Sequence, residues 1–322
     1  VSEALEVREL RVSYATRAGW RSAVAGVDLH LARGAAHSIV GESGCGKSSL
    51  ALALLGLVRS GGRLGAASYT LDGRAWPLER GEALRELRGR RIGLLLQESA
   101  LALDPRLSVE RQLRESLGAA RESGGRERVL ELLARVGFET PSEVLARLPH
   151  ELSGGMRQRV QLACALAPGP SYLIADEPTA SLDALLARRI VGLLASLVER
   201  ERLGVLMVTH DLAAAAELGG QLSVMYAGAV VERGPVRELL LAPRHPYTEA
   251  LIAACAAREP FDEPLHALPG AAPLAGDVRD ACAFAARCAL VRAACRSTRP
   301  ALLELSAGRA LACPPRADGA LR

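Results

Sequence analysis

Asparagine is absent from the 322 residues and lysine occurs once, at Lys47, so 39 of the 40 basic residues are arginine. That bias reads as the imprint of a GC-rich genome, and it singles out the one lysine that survived. A compact ammonium suits a tight backbone cradle in a way that arginine's wide planar fork does not. Long apolar runs are also lacking. The longest, Leu50 to Val58, is about half of the roughly 20 residues that a bilayer-spanning helix requires, and Gly56 interrupts it. The opening Val1-Ser2-Glu3-Ala4-Leu5-Glu6 has no basic stretch followed by an apolar one, so no secretory leader and a cytosolic location are expected. Neither charge dominates: 40 basic and 36 acidic residues are scattered for a net +4, which argues against a nucleic-acid surface or partner. Internal repeats at solenoid periods are missing as well, which excludes a repeat array and two fused copies of one unit. What is present is 49% apolar residues, enough for a substantial core and too many for a disordered chain.

Alternating apolar positions from Leu5 to Val12 and from Val24 to Leu31 predict an opening β hairpin. The run Ala36 to Val40 predicts a strand that feeds a glycine-rich turn and then a helix from about Lys47 to Leu57. A short buried strand, Ile92 to Leu96, precedes helical patterns at 108–120, 126–136 and 155–167, so a helical subdomain is expected over about 100–165. Tyr172 to Ala175 and Val205 to Val208 read as buried parallel strands separated by a helix from Ala184 to about Arg200, and the α/β core is expected to close there. After Gly234 the pattern weakens. Pro260, Pro264, Pro269 and Pro273 mark a linker, which places a boundary near residue 255 between a 1–255 domain and a 256–322 extension.

Three segments carry chemistry. Gly41-Glu42-Ser43-Gly44-Cys45-Gly46-Lys47-Ser48, between a strand and a helix, fits a phosphate-binding loop in which successive backbone N–H groups surround an anion. Lys47 would neutralise the β- and γ-phosphates of ATP and Ser48 would ligate Mg²⁺. Asp176 and Glu177 end an apolar strand, where a metal-orienting carboxylate and a water-activating base belong; both also suit an ordinary helix start. Leu152-Ser153-Gly154-Gly155-Met156-Arg157-Gln158-Arg159 puts a serine and two glycines at the start of a predicted helix, a second anion-binding terminus or a simple cap.

Together these segments resemble the ABC ATPase family over about residues 5–255. The resemblance implies an ABC-type P-loop ATPase core with an antiparallel β flank and a helical subdomain. It implies that two cassettes face head to tail, so that Ser153, Gly154 and Gly155 of one cover the ATP held by Lys47 of the other. It further assigns Gln97 to Mg²⁺ and to sensing of the membrane subunit, Asp183 to the loop crossing the dimer interface, and His210 to the γ-phosphate. Tyr14, with Trp20 nearby, matches the aromatic residue that stacks on adenine. Ser49 stands where the family more often has threonine, and Ser181 and Leu103-Asp104-Pro105 also depart from its usual wording, but every catalytic group is in place. Residues 98–106 are the candidate permease contact.

His245-Pro246-Tyr247-Thr248, Leu268-Pro269-Gly270 and the Phe284 and Arg287-Cys288 wording are similar to the ATPases of bacterial dipeptide, oligopeptide and nickel uptake. That resemblance implies a peripheral protein on the cytoplasmic face of the membrane, paired with a sibling ATPase, two permeases and an extracytoplasmic binding protein. The alternative is a soluble ABC ATPase not linked to transport. Against it, only about a hundred residues separate Lys47 from Ser153, with no room for the long coiled coil of repair enzymes, and one cassette is present where translation factors carry two. Cys282, Cys288, Cys295 and Cys313 gather in the tail of a chain expected in a reducing compartment, where structural disulfides are disfavoured. Four thiolates suit a [4Fe–4S] cluster, which the resemblance favours, or tetrahedral zinc, and unliganded buried cysteines remain a third reading. Cys45, Cys164 and Cys255 lie outside that spacing.

Overall fold

The computed structural model describes residues 3–17, 19–79, 81–97, 102–119, 125–180, 182–256, 270–273, 280–306 and 308–317. The chain opens with β1 (Ala4–Thr16) and β2 (Gly19–Ala32), paired antiparallel with Leu5 opposite Leu31 and Val12 opposite Val24. Leu5 and Val7 face the core, and a bulge between Val7 and Leu10 then shifts the register. Glu9, at φ +52, absorbs the extra residue, so that Leu10 and Val12 return to the same buried face. After β3 (Ala36–Val40) and the helix α1 (Lys47–Ala53), β4 (Gly62–Gly65) and β5 (Ser68–Leu71) join β1, and β6 (Arg74–Ala75) joins β5. This five-stranded antiparallel sheet is the expected β flank.

The main sheet adds β7 (Ile92–Leu95), β8 (Tyr172–Asp176), β9 (Gly204–Thr209), β10 (Gln221–Tyr226), β11 (Ala229–Pro235), β12 (Leu303–Ser306) and β13 (Arg309–Leu311). Its order is β12-β13-β11-β10-β3-β9-β8-β7, parallel from β10 to β7 and antiparallel on the other side. Every residue of β3, β8 and β9 is buried, as strands covered on both faces must be. Period-two alternation divides them between two cores. Tyr172, Ile174, Leu206, Val208 and Ile39 pack under the β flank and α1, whereas Leu173, Ala175, Val205, Met207 and Val40 face the helices.

Those helices are α2 (Val109–Ala119), α3 (Arg126–Arg135) and α4 (Gly154–Leu166), which share one core, then α5 (Ala184–Glu201) and α6 (Leu212–Leu218). The ends of α2 to α5 agree with the predicted ones to within a residue or two, while α6 was not predicted. Side chains cap three of the helices: Ser153 accepts from the Met156 N–H, Asp183 from that of Leu186, and Asp211 from those of Ala213 and Ala214. The helix α1 stops at Ala53, short of the expected Leu57. Among the described residues no helix is long and apolar enough to cross a membrane.

Two expectations change. The core does not close at Val208, for β10 and β11 extend the sheet on the far side of β3. The tail, expected as a separate appendage, sends its β12–β13 hairpin into the same sheet, with Leu311 opposite Glu232 and Ala310 opposite Arg233. The strands β10 to β13 have three to seven residues and polar or charged residues among their apolar ones, and their pairing is non-local. A buried carboxylate fixes this corner: Glu232, fully buried, accepts from the N–H groups of Arg244 and His245 and pairs with Arg309 of β13. Beyond β11 lie α7 (Val236–Leu241), α8 (Pro246–Ala256) and the short α9 (Pro314–Ala317). The prolines at 260, 264 and 269 lie outside the described residues.

Candidate functional site

Three strand ends deliver the central residues. Past β3 the chain turns through 41–46 into α1. Gly46 holds φ +107, and a Cβ there would sit 2.1 Å from the Ala23 carbonyl oxygen, so only glycine lets the loop lie this close to β2. Lys47, buried, curls back over the loop and its Nζ donates to the carbonyl oxygens of Gly41 at 2.8 Å and Glu42 at 3.1 Å. The Cys45 thiol, 3.9 Å from Nζ, is pushed up by its burial. Ser43 and Gly44 are exposed at the loop's tip.

β8 ends on Asp176, whose Oδ1 accepts from Ser48 Oγ at 3.0 Å. Burial pushes this carboxyl up, the Ser48 hydrogen bond opposes it, and the neighbouring Glu177 carboxylate adds to the rise. Glu177 has φ +49, an uncommon conformation for a non-glycine residue and a costly one unless its surroundings hold it. Its N–H donates to the Val208 carbonyl at 2.8 Å, and Oε2 lies 2.9 Å from His210 Nδ1, past the end of β9. The carboxylate is only 10% exposed while the imidazole is 65% exposed, so His210 reaches out from a carboxylate that is tucked in. Lys47, Ser48, Asp176, Glu177 and His210 therefore meet at one end of the parallel strands, the general location of ligand sites in such sheets.

The other expected residues stand around this group. Tyr14, on β1, donates to Ser49 Oγ at 3.4 Å and lines a groove of about 450 Å³ with Ser48, Ser49, Leu52 and Arg59. Trp20 is partly exposed under the Arg63 guanidinium, 3.8 Å from its ring. Gln97 is exposed just past β7, and the register Leu95 opposite Ala175 puts it at the same sheet end as Asp176. Ser153 and Asp183 are both exposed and form a second group. There Gly155 lies so close to α5 that a Cβ would sit 2.3 Å from Leu186, which joins the Ser153–Gly155 segment to the Asp183 turn. Ser181, and residues 98–101 of the candidate permease contact, lie outside the described residues.

Two residues bearing on the phosphate loop were not read as site residues from sequence. Tyr247 Oη accepts from the Glu42 N–H at 2.9 Å, and Arg287, from the tail, grips the Glu42 carboxylate with both Nη atoms at 2.8 and 3.0 Å. Both stand in family-like wording whose role sequence left blank. The His245-Pro246-Tyr247 segment now has a physical account: His245 Nδ1 accepts from the Tyr247 N–H, Pro246 begins α8, and Tyr247 reaches the loop. Burial pushes His245 down to about 3, so the ring is neutral and free to accept.

Cys282, Cys288, Cys295 and Cys313 are half-buried and line one small, mostly apolar pocket with His245, Phe284 and Arg316. Burial raises the thiols of Cys282, Cys288 and Cys313, the last to about 11. The expected ligand cage is not formed as such: among the described residues no three or more His, Cys, Asp or Glu side chains gather so as to hold a metal ion.

Residues 24–180 match the ABC transporter family, and residues 231–295 match the family described as oligopeptide/dipeptide transporter, C-terminal region. The chain is 35% identical over 317 residues to the oligopeptide transport ATP-binding protein AppD of Bacillus subtilis, covering 97% of each. It is 36% identical to the oligopeptide transport ATP-binding protein OppD of Lactococcus lactis, covering 85% of this chain and 82% of that one. A solved structure of the ATP-binding cassette MJ0796, a dimer in a post-hydrolysis state bound to ADP and Pi, superposes with a TM-score of 0.62 at 27% identity, over 72% of this chain and 99% of that one.

Proposed function

The chain belongs to the ABC transporter ATP-binding proteins and is an ATPase, and from that premise we propose that it powers the import of peptides, or of a related small solute such as a nickel chelate. The observation that carries the site reading is the convergence of Lys47, Ser48, Asp176, Glu177 and His210 from three separate strand ends. The import reading rests on the C-terminal match and on the peptide-transport relatives.

In this reading the backbone amides of Gly41–Ser49 hold the phosphates, Lys47 neutralises them, and Tyr14 stacks on the adenine. Ser48 and Asp176, already hydrogen-bonded to each other, would hold Mg²⁺ with Gln97, and a divalent cation offsets the burial that otherwise raises Asp176. When bound with the nucleotide, Mg²⁺ supplies charge neutralisation between the phosphates. Glu177 polarises the attacking water, and His210 orients Glu177 and reaches the γ-phosphate. The exposed Ser153 and Asp183, with Gly154 and the buried Gly155 behind them, serve the opposing cassette, a sibling ATPase, across a head-to-tail interface that ATP closes. Two permeases, which 98–106 contacts, and an extracytoplasmic binding protein complete the machine, with this subunit peripheral on the cytoplasmic face. The cassette occupies 1–255, with its helical subdomain over about 100–165, and the extension 256–322.

The test is reconstitution with the permeases and binding protein in vesicles. Peptide is expected to stimulate ATP hydrolysis and to enter the vesicles only with ATP; hydrolysis indifferent to the permeases, with no solute moved, would remove the import reading.

The four tail thiols fit a soft metal group in donor type and in facing a common pocket, and they are our proposed ligands for a [4Fe–4S] cluster, with zinc as the alternative. The group would fold a proline-rich tail around a centre it otherwise lacks. Anaerobically purified protein is expected to be brown with about four irons per chain, lost in Cys288→Ser. Colourless protein with one zinc would transfer the site to zinc, and metal-free protein with an ordered tail would end both.

A further inference from the structure

We propose that Arg287 is a positioning residue for ATP binding, which from the cysteine-bearing tail clamps Glu42 of the phosphate loop. The inference rests on reading Gly41–Ser48 as that loop. Glu42 is held at three points. Its carboxylate takes the two-pronged grip of Arg287, its N–H donates to Tyr247 Oη at 2.9 Å, and its carbonyl accepts from Lys47 Nζ at 3.1 Å. The Arg287 side chain is 6% exposed and its Nη1 also donates to Tyr226 Oη at 3.2 Å. In such surroundings, removing either partner strands the other's charge. Tyr226, Tyr247 and Phe284 stack around the pair with ring centroids 4.5, 5.4 and 5.5 Å apart, so the tail touches the loop through a packed apolar joint as well as through charge.

A loop with glycines at 41, 44 and 46 does not hold its amides in place by local preference. A clamp from outside removes that freedom before the nucleotide arrives, so less ordering is left for binding to supply. The turn that aims Arg287 is itself closed by bonds from Ala285 N–H to the Cys282 carbonyl and from Arg287 N–H to that of Phe284, between two of the four tail cysteines. Whatever holds those cysteines therefore holds Arg287. Coupling of this kind is reciprocal: a tail that favours ATP must itself be steadied by ATP.

The experiment is an equilibrium titration of the full chain with a fluorescent ATP analogue, for the parent, Arg287→Met, Glu42→Gln and the double variant, with circular dichroism to confirm folding. Each single change is expected to weaken binding about tenfold, the double no further, and Arg287→Lys to restore part of the loss. Should Arg287→Met fail to fold, Arg287→Lys and Tyr247→Phe carry the test, since each leaves the apolar joint in place and each is expected to weaken binding. Hydrogen exchange over 280–296 is expected to slow with ATP in the parent and not in Arg287→Met, or in Arg287→Lys if Met does not fold. Parent-like affinity in the folded variants, strictly additive effects, or exchange in the parent that ignores ATP would each overturn the clamp. A parent chain that binds no nucleotide would overturn the phosphate-loop reading first, and the clamp with it.

Discussion

In the assembled transporter, Glu177→Gln is expected to lower ATP hydrolysis by about 10²- to 10⁴-fold, the range a positioned general base contributes. Glutamine keeps the size of the side chain and can still hydrogen-bond His210, but it cannot take a proton from water. The substitution leaves Lys47, Ser48 and the loop amides untouched, so ATP should still bind and the two cassettes should stay closed around it. The positive φ of Glu177 bears on this, because the backbone cost is borne by the parent and by the variant alike. Loss of rate with retention of nucleotide therefore isolates the chemistry from the fold. Hydrolysis at the parent rate, measured as phosphate release at saturating ATP, would remove Glu177 as the base and turn attention to His210, 2.9 Å away.

Lys47→Ala is expected to do the opposite and abolish ATP binding, with a loss of at least about a hundredfold in affinity. A hydrogen bond to a charged group is worth about 1.5–3 kcal/mol and Lys47 would make more than one to the phosphates, so two such bonds are enough for that loss. Lys47→Arg should fail nearly as badly. The ammonium sits 2.8 and 3.1 Å from two loop carbonyls, a space into which a planar guanidinium cannot fold. Titration with a fluorescent ATP analogue, beside a circular dichroism spectrum showing the variant folded, checks both. Parent-like affinity in Lys47→Ala would show that the loop amides alone hold the nucleotide.

What the amino-acid sequence determined by itself is the local chemistry. The phosphate loop, the Asp176-Glu177 strand end, the Ser153 cap and the Asp183 cap are each contiguous, so the backbone that carries them also places their groups, and strand–turn–helix context could be read from periodicity. The helices were legible for the same reason, since a 10- to 18-residue helical pattern repeats its signal several times, and at two of them Ser153 and Asp183 add a capping side chain. The tertiary structure decided what joins distant parts. Glu42 and Arg287 stand 245 residues apart, and Ser48 and Asp176 128 apart, and no local pattern relates such pairs. Short strands such as β13, which continues the sheet beyond β11, carry too few residues to show an alternation. The pocket faced by the four cysteines, and the grip of the tail on the phosphate loop, exist only once the sheet has brought those segments together, because hydrogen bonds and apolar contacts act over a few ångströms of space and not along the chain.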